Sequence, residues 1–399
     1  MAKQIQDAYI VAATRTPVGR APRGMFRNTR PDDLLVHVLK RVLAQAPSVD
    51  PGAVEDVIIG CAMPEGEQGM NVARVALLLA GMPDRVPGLT INRFCSSGLQ
   101  AVAFAADRIR LGEADVMIAG GTESMSMIPM GGNKISMNER IFDGDENIAI
   151  GYGMGITAER VAQQWRISRE DQDAFAAQSH QKALAAIASG DYNDEISAYT
   201  IDEKVPDLSK QDIEHRTRIV SADEGPRPGT TPEVLAKLKP VFAAKGSVTA
   251  GNSSQTSDGA GAVLLLSEAA VRRYNVEPIA RFLGFNVAGV PPDIMGIGPK
   301  FAIPKVLEQV GLQQDDLEWI ELNEAFAAQS LAVIQDLRLD PSKVNPIGGA
   351  IARGHPLGAT GAIRVATLVH GMRVRKQKYG MVTMCVGTGM GAAGIFEAM

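Results

Sequence analysis

The chain has 399 residues, of which 45% are hydrophobic and 21% are charged, and its formal net charge is −5 at pH 7. This length allows two or more domains around a large core, and the negative charge argues against a surface for nucleic acid or anionic membranes. The longest apolar run, residues 75–82, is too short to span a bilayer. Three cysteines, an odd number at wide spacing, form neither a disulfide framework nor a zinc motif.

Neither end of the printed sequence resembles a targeting signal. Residues 1–7 lack the basic-then-apolar layout of a signal peptide, and the final Phe-Glu-Ala-Met is not a peroxisomal tripeptide. We therefore expect a cytoplasmic protein without a membrane span.

The first third of the chain alternates short apolar runs with amphipathic segments. Strands are predicted at residues 8–13, 54–59, 89–91 and 115–119, because continuous apolar runs are typical of strands covered on both faces. Helices are predicted after Asp32 or Asp33, either of which can cap the first, and at residues 71–79. Strands that alternate with helices indicate parallel βαβ units, so this part of the chain is predicted to be α/β.

Cys95 lies where a predicted strand gives way to a helix. Apolar residues recur at helical spacing over residues 99–109, and Ser96 and Ser97 can cap this helix. The unpaired N–H groups and the positive end of the helix dipole are expected to lower the pKa of the Cys95 thiol. The alternative is an ordinary buried cysteine, and this stretch alone does not decide between the two.

The pattern changes after the fourth strand and then returns. Residues 124–245 combine Met-, Gly- and Asn-rich loops with helices at 157–164 and 169–188, which indicates an insertion over the core. Residues 260–266 form another buried strand. We therefore predict three parts: residues 1–123 with 246–272, an inserted loop domain at 124–245, and residues 273–399.

The last third repeats the order of elements in the first. A strand at 317–322, a helix that begins after His355, and a strand at 379–385 follow one another as do residues 56–61, Cys95 and 115–121. We interpret this as a duplicated α/β half. A duplication would place the two helix starts near one another, as a nucleophilic Cys–His pair requires.

His355 is the histidine with the most suggestive surroundings. It stands in residues 348–361, where small residues allow close approach to a ligand. The other four histidines fall at polar or helical positions and are predicted to be solvated: His37, His180, His215 and His370. A Gly-x-Gly-x-x-Gly match at 389–394 lies too near the printed end to open a dinucleotide-binding unit, and no metal motif is present.

Four blocks of the chain resemble the signature blocks of the thiolases, in that family's order across nearly the whole sequence. They are Cys-Ser-Ser-Gly-Leu-Gln at 95–100, Asn-Glu-Ala-Phe at 323–326, Gly-His-Pro-Leu-Gly at 354–358 and Cys-Val-Gly-Thr-Gly at 385–389. The resemblance implies a duplicated five-layered αβαβα fold with an inserted loop domain, and a homodimer or homotetramer.

The resemblance also implies roles for individual residues in cleaving 3-ketoacyl-CoA between C2 and C3. Cys95 would be the nucleophile and His355 would take its proton. The acetyl-CoA enolate would be stabilised by His355 and by a water held on Asn323, and Cys385 would protonate the α-carbon. The amides of Cys95 and Gly387 would bind the tetrahedral oxyanion. A second CoA thiol would then take the shortened acyl group, without a metal or a tightly bound cofactor.

CoA, the co-substrate, is expected between the inserted domain and the core. Ser254 matches the family serine near the pantetheine, and four apolar residues match the lining of its channel, although each could equally be core: Met154, Leu238, Phe242 and Phe326. Gly153 stands where some biosynthetic relatives have a histidine.

Within the family, Arg93 and the Asp-Glu-Gly-Pro-Arg-Pro run at 223–228 resemble degradative 3-ketoacyl-CoA thiolases of fatty acid β-oxidation. Acetyl-CoA acetyltransferase is the alternative. Ketosynthase-like condensing enzymes and non-catalytic lipid-binding relatives are more remote, because the former need a second catalytic histidine and the latter are expected to lack the cysteines. A β-oxidation multienzyme complex is a further expected partner.

Overall fold

The computed structural model describes residues 5–145 and 147–399; residues 1–4, part of the amino-terminal segment considered above, lie outside it. The described strands are β1 Ala8–Arg15, β2 Gly19–Arg20, β3 Asp56–Gly60, β4 Gly88–Ile91, β5 Val116–Ser124, β6 Tyr199–Asp207, β7 Asp212–Val220, β8 Ser257–Ser267, β9 Ala280–Gly289, β10 Trp319–Leu322, β11 Tyr379–Val386 and β12 Met390–Ala398. The described helices are α1 Pro31–Ala44, α2 Val72–Leu79, α3 Ser97–Arg110, α4 Met154–Trp165, α5 Arg169–Ser189, α6 Pro232–Leu235, α7 Glu268–Tyr274, α8 Gly298–Val310, α9 Ala327–Leu337, α10 Ala350–Arg353 and α11 Leu357–Arg375.

One hydrogen-bonded path joins nine strands in the order β4-β3-β5-β8-β1-β9-β12-β11-β10, with β2 attached to β8. The two halves of this path repeat the same pairing. In the first, β3–β5 is parallel and β5–β8 and β8–β1 are antiparallel. In the second, β10–β11 is parallel and β11–β12 and β12–β9 are antiparallel. The halves meet at three residue pairs between β1 and β9, such as Ala8 with Phe282.

The helices repeat as well. The edge strand β4 runs parallel to β3, and its counterpart is a single parallel bridge between Val344 and Ile320. Helix α3 precedes β5 in one half, as α11 precedes β11 in the other. The predicted duplication is therefore confirmed, and Cys95 and His355 occupy equivalent places in it.

The helices and strands form five layers, and three apolar clusters fill the spaces between them. Helices α1 and α2 pack on the outer face of the first half around residues such as Leu35. Helices α3 and α11 form the central layer, between the strands of the first half and those of the second. Leu99 and Val369 are buried in the apolar cluster that this layer shares with both sets of strands. Helix α8 covers the outer face of the second half around Ile303. This is the predicted αβαβα arrangement, in which each sheet is covered on both faces.

Part of the segment at 124–245 lies over the second half. Helix α4 packs on α9, and α5 packs on α9 and α10. Strands β6 and β7 form a separate antiparallel ribbon with an exposed second strand. None of the described helices has the length and apolar character needed to cross a membrane.

Three local predictions are wrong. Strand β4 is an edge strand with Leu89 exposed, not a buried strand. Helix α1 begins at Pro31, so Asp32 and Asp33 lie in its first turn without capping it. The hydroxyls of Ser96 and Ser97 do not cap α3; the Ser97 hydroxyl is used by the turn that precedes the helix, as described below.

Candidate active site

The two central helices approach so closely that only glycine fits between them. A Cβ added at Gly361 of α11 would lie 2.1 Å from the backbone nitrogen of Leu99 in α3, and one added at Gly98 would lie 2.7 Å from the backbone nitrogen of Ala362. This contact is within a turn of both helix starts. As a result Cys95, just before α3, and His355, just before α11, line a single cavity of about 470 Å³.

Cys95 sits in a strained turn. Phe94, which precedes it, has a φ of +42°, a conformation that side-chain-bearing residues rarely adopt. The Phe94 N–H donates to Asn92 Oδ1 (2.7 Å), the Arg93 N–H donates to Ser97 Oγ (2.8 Å), and Ser97 Oγ donates to the Phe94 carbonyl (2.7 Å). These bonds fix the turn that carries Cys95, which lines the cavity and is 7% exposed.

The electrostatics of Cys95 differ from the prediction. Burial raises the pKa of its thiol to about 12, although the backbone N–H groups of Gly387 and of Cys95 itself lower it. Desolvation of the thiolate therefore outweighs the donors at the helix start. The expectation of a lowered pKa is wrong for the free protein. The same two N–H groups, which face the sulfur, remain available to negative charge that develops there.

His355 is held from three sides. Its backbone N–H faces the Gln255 carbonyl (3.2 Å) and Ser257 Oγ (3.1 Å). Its ring nitrogen Nδ1 is 2.7 Å from Thr360 Oγ1, and Nε2 is 3.3 Å from Asn323 Nδ2. Burial, together with the positive charge of Arg364, lowers the pKa of His355 to about 3. The imidazole is therefore neutral near pH 7 and can accept a proton.

Asn323, Cys385 and Gly387 surround this pair without being part of the cavity lining. Asn323 and Cys385 are at most 1% exposed, and Asn323 Oδ1 has no hydrogen-bond partner among the described residues. Cys385 packs in one apolar cluster with Phe326 and Met154. Burial, and after it repulsion from Cys95 when that thiol is ionised, raise the pKa of the Cys385 thiol, so this thiol is protonated at rest.

Four of the five predicted CoA-binding residues line the cavity: Met154, Phe242, Ser254 and Phe326. The rings of Phe242 and Phe326 meet edge to face with centroids 6.1 Å apart. Phe242 also covers Gly155, where an added Cβ would lie 2.1 Å from the ring. Leu238 is not among the lining residues; it is 40% exposed and lies beside Gly251.

Sequence reasoning gave no role to Glu123 or Thr360. The buried carboxylate of Glu123 accepts N–H groups from Ala62 (2.7 Å), Met63 (3.2 Å) and Gly358 (2.8 Å), and so connects the end of β5 with the start of α11. An acidic residue at the carboxyl end of a buried strand is a signal that could have pointed to it. Thr360 lies in an ordinary helical stretch and offers no such signal.

The remaining histidines are less solvated than predicted. His180 is 5% exposed and its Nδ1 accepts from the Arg227 N–H (3.2 Å). His37 and His370 are half-buried and hydrogen-bond to Ser197 and to the Ala13 carbonyl, and only His215 is exposed. His355 is the one histidine among the residues lining the cavity. No group of His, Cys, Asp or Glu in the described ranges could hold a metal ion.

A buried ionic network holds the segment before His355. Arg353 donates to Glu195 (3.1 Å) and to Asp223 (3.4 Å), and Arg15 donates to the same two carboxylates (each 2.6 Å at the closest). All four side chains are at most 1% exposed. Asp223, the first residue of the run that indicated the degradative subclass, thereby connects β1, the inserted segment and the His355 segment.

Two family models match the chain. The model for the N-terminal domain of thiolase matches residues 8–269, and the model for the thiolase C-terminal domain matches residues 276–398. Similar proteins include the 3-ketoacyl-CoA thiolase of Bacillus subtilis (strain 168), which is 48% identical over 394 residues, covering 98% of this chain and 100% of the relative. The peroxisomal 3-ketoacyl-CoA thiolase A of Rattus norvegicus is 47% identical over 395 residues, covering 98% of this chain and 88% of the relative.

Solved structures agree over the same length. The dimeric peroxisomal thiolase of Saccharomyces cerevisiae superposes with a TM-score of 0.88 at 42% identity, covering 100% of this chain and 99% of that one. The Bacillus anthracis acetyl-CoA acetyltransferase superposes with a TM-score of 0.89 at 40% identity, covering 100% of both chains. The fold, the two matched domains and the identity over the whole length lead to one conclusion: the chain belongs to the thiolase family.

Proposed function

We propose that the protein is a 3-ketoacyl-CoA thiolase, an acyltransferase that cleaves 3-ketoacyl-CoA with CoA to acetyl-CoA and a shortened acyl-CoA. The observation that carries this is the pairing of Cys95 with the neutral His355 in one cavity, with the Gly387 N–H facing the sulfur. Curated relatives named 3-ketoacyl-CoA thiolase support the degradative direction. The acetyl-CoA acetyltransferase neighbour keeps acetoacetyl-CoA synthesis as the second candidate.

In the first half-reaction Cys95 attacks the keto carbon while its proton passes from sulfur to His355. Both groups are neutral at rest, so neither member of this pair carries a buried charge until substrate arrives. The negative charge of the tetrahedral intermediate then moves to the substrate oxygen. The N–H groups of Cys95 and Gly387 are proposed as the donors that stabilise this oxyanion.

Collapse of the intermediate breaks the C2–C3 bond and leaves the acyl group on Cys95. The departing acetyl-CoA enolate is stabilised by His355 and by a water on Asn323, for which the free Asn323 Oδ1 is a suitable acceptor. Cys385, protonated at rest, donates its proton to the α-carbon. The imidazolium of His355 then passes its proton to the Cys385 thiolate, which returns both groups to their resting forms. A second CoA gives its thiol proton to His355 as its sulfur attacks the acyl group, and this proton passes to Cys95 as the bond between Cys95 and the acyl group breaks. CoA enters as substrate, and the proposal needs no tightly bound cofactor.

The apolar cavity is proposed to hold the pantetheine and acyl portions of the substrate. Met154, Phe242, Ser254 and Phe326 line it and support this assignment. Leu238 does not line the cavity and stays a prediction. The three-part domain division is likewise proposed; the junction between the matched family domains, at 269–276, supports its boundary between residues 272 and 273. The dimeric neighbour supports a homo-oligomer. Cytoplasmic location, dimer or tetramer state and a β-oxidation multienzyme partner are proposals.

A thiolysis assay tests the function. The protein is mixed with CoA and either acetoacetyl-CoA or longer 3-ketoacyl-CoA, and the acyl-CoA products are identified by mass spectrometry. Cleavage of the longer substrates is expected, with acyl groups recovered on the peptide that contains Cys95. Turnover of acetoacetyl-CoA alone favours the acetyltransferase, decarboxylation of a malonyl thioester favours a ketosynthase, and no turnover contradicts the enzyme assignment.

The two site cysteines are expected to be separable. Cys385→Ala should still transfer an acetyl group from acetyl-CoA to Cys95, but should neither condense two acetyl units nor exchange the methyl deuterons of acetyl-CoA with solvent. Cys61→Ala is the matched control, because Cys61 is equally buried and lies outside the cavity. Wild-type exchange by folded Cys385→Ala would remove Cys385 from the proton-transfer role.

A further inference from the structure

We propose that Thr360 is a positioning residue that fixes the tautomer of His355, by accepting the Nδ1–H and so leaving the Nε2 lone pair free to take the proton of Cys95. The inference rests on the proposed function for its kinetic consequence only. Thr360 is 1% exposed in the first turn of α11, and its Oγ1 lies 2.7 Å from His355 Nδ1. Within the described residues its hydroxyl has no other hydrogen-bond partner, so the two groups are matched to each other.

The roles in this pair follow from the opposite side of the ring. Asn323 Nδ2 faces Nε2 at 3.3 Å, and an amide NH2 group can only donate. With Nδ2 on this side of the ring, Nε2 carries a lone pair. Because the buried ring is neutral near pH 7, its single proton is on Nδ1. The Nδ1–H then donates to Thr360 Oγ1, the polar atom within reach.

The chemistry requires this tautomer. Because Nδ1 faces Thr360, Nε2 is the ring nitrogen left to accept the Cys95 proton. A neutral imidazole with its proton on Nε2 has no lone pair there and cannot act as the base. With the proton on Nδ1, the S–H bond of Cys95 breaks as the Nε2–H bond forms. The Nε2 lone pair, which accepted the long hydrogen bond from Asn323 Nδ2 (3.3 Å), then holds the new proton instead. The imidazolium keeps its Nδ1–H on Thr360, so its charge is hydrogen-bonded in a buried site.

Other features of the His355 surroundings cannot replace Thr360. Arg364 lies near the ring but is a cation with donors only, and its Nη2 donates to the Gly354 carbonyl (3.4 Å). The Ser257 hydroxyl is close to the backbone N–H of His355, not to its ring. In Thr360→Val the Nδ1–H would be buried without an acceptor. The Asn323 amide, whose Oδ1 has no partner among the described residues, can turn and present this oxygen to Nε2, so the proton is expected to move to Nε2.

The tautomer can be read directly by NMR. Protein labelled with ¹⁵N-histidine gives two-bond ¹H–¹⁵N correlations for its five histidines, and His355→Gln identifies the signals of His355. We expect a protonated Nδ1 in wild type and in Thr360→Ser, and a protonated Nε2 in Thr360→Val. Thr122→Val is the matched control, since it also removes one buried hydroxyl bond, to the Pro31 carbonyl (2.8 Å), away from the site.

Acetylation of Cys95 by acetyl-CoA, followed by quenched-flow mass spectrometry, gives the kinetic readout. Thr360→Val should acetylate about 10- to 100-fold more slowly, on the scale known for the loss of a hydrogen-bond partner that orients a metal-binding histidine. Thr360→Ser should restore the rate, and Thr122→Val should keep it. A protonated Nε2 in wild type, or a Thr360→Val rate equal to that of Thr122→Val, would overturn the proposal. Because the NMR readout needs no substrate, it fails or succeeds independently of thiolase activity.

Discussion

Gly361→Ala is expected to separate the two central helices and so to displace Cys95 from His355. The added Cβ would lie 2.1 Å from the Leu99 backbone nitrogen and 2.8 Å from its Cα, whereas ordinary contacts begin at 3.4 Å. Backbone atoms cannot rotate away, so the helices must move apart by about 1.3 Å. The two reacting side chains precede these helices and move with them.

The cost should fall more on activity than on stability. Overpacking of this kind costs about 1–3 kcal/mol of unfolding free energy, whereas a misplacement of about 1 Å between reacting groups costs about 100-fold in rate. Urea unfolding and kcat/KM for thiolysis measure the two effects. Gly289→Ala is the control, because a Cβ there meets no atom within 4 Å. If Gly361→Ala keeps kcat/KM within twofold of wild type, the glycine contact does not set the catalytic distance.

Two further predictions concern buried charge. Asp223→Asn should lower the free energy of unfolding in urea by about 3–5 kcal/mol, because Arg15 and Arg353 would lose a buried charged partner. Glu268→Gln is the control: it removes an exposed ion pair with Arg272 and should cost at most about 1 kcal/mol in the same experiment. The pKa of His355, lowered by burial to about 3, predicts that stability is lost as pH falls below about 6.5, since the unfolded chain then binds more protons. Wild type should therefore lose about 2 kcal/mol more than His355→Asn between pH 7.5 and 5; equal losses would contradict the lowered pKa.

Much of the fold could be predicted from local patterns. The order of strands and helices in both halves is visible because fully covered strands are continuous apolar runs, and α3 carries a regular apolar stripe. The exposure of β4 could not be predicted, since its apolar residues resemble those of a covered strand and only the topology places it at the edge. The buried network around Asp223 was equally invisible, because its members are separated by up to 338 positions, from Arg15 to Arg353.

The site could be predicted only as far as motifs extend. Cys95 and His355 stand at helix starts among small residues, a local signal, and the duplication brings them together. Thr360 and Glu123 act through contacts that no spacing encodes. The prediction that Ser97 caps α3 is wrong for a physical reason. Its hydroxyl already accepts the Arg93 N–H and donates to the Phe94 carbonyl in the strained turn.

Two physical effects compete in setting the pKa of Cys95, and the pH dependence of its alkylation shows which one dominates. Donors at a helix start favour a thiolate, and burial opposes it; burial wins and raises the pKa to about 12. The alkylation rate of Cys95 by iodoacetamide, followed by peptide mass spectrometry, should then rise about tenfold per pH unit from pH 6 to 9. A resting thiolate–imidazolium pair would instead give a rate independent of pH across that range. Such a plateau, seen in wild type and lost in His355→Asn, would show that the ion pair exists before substrate binds and that the neutral resting pair is wrong.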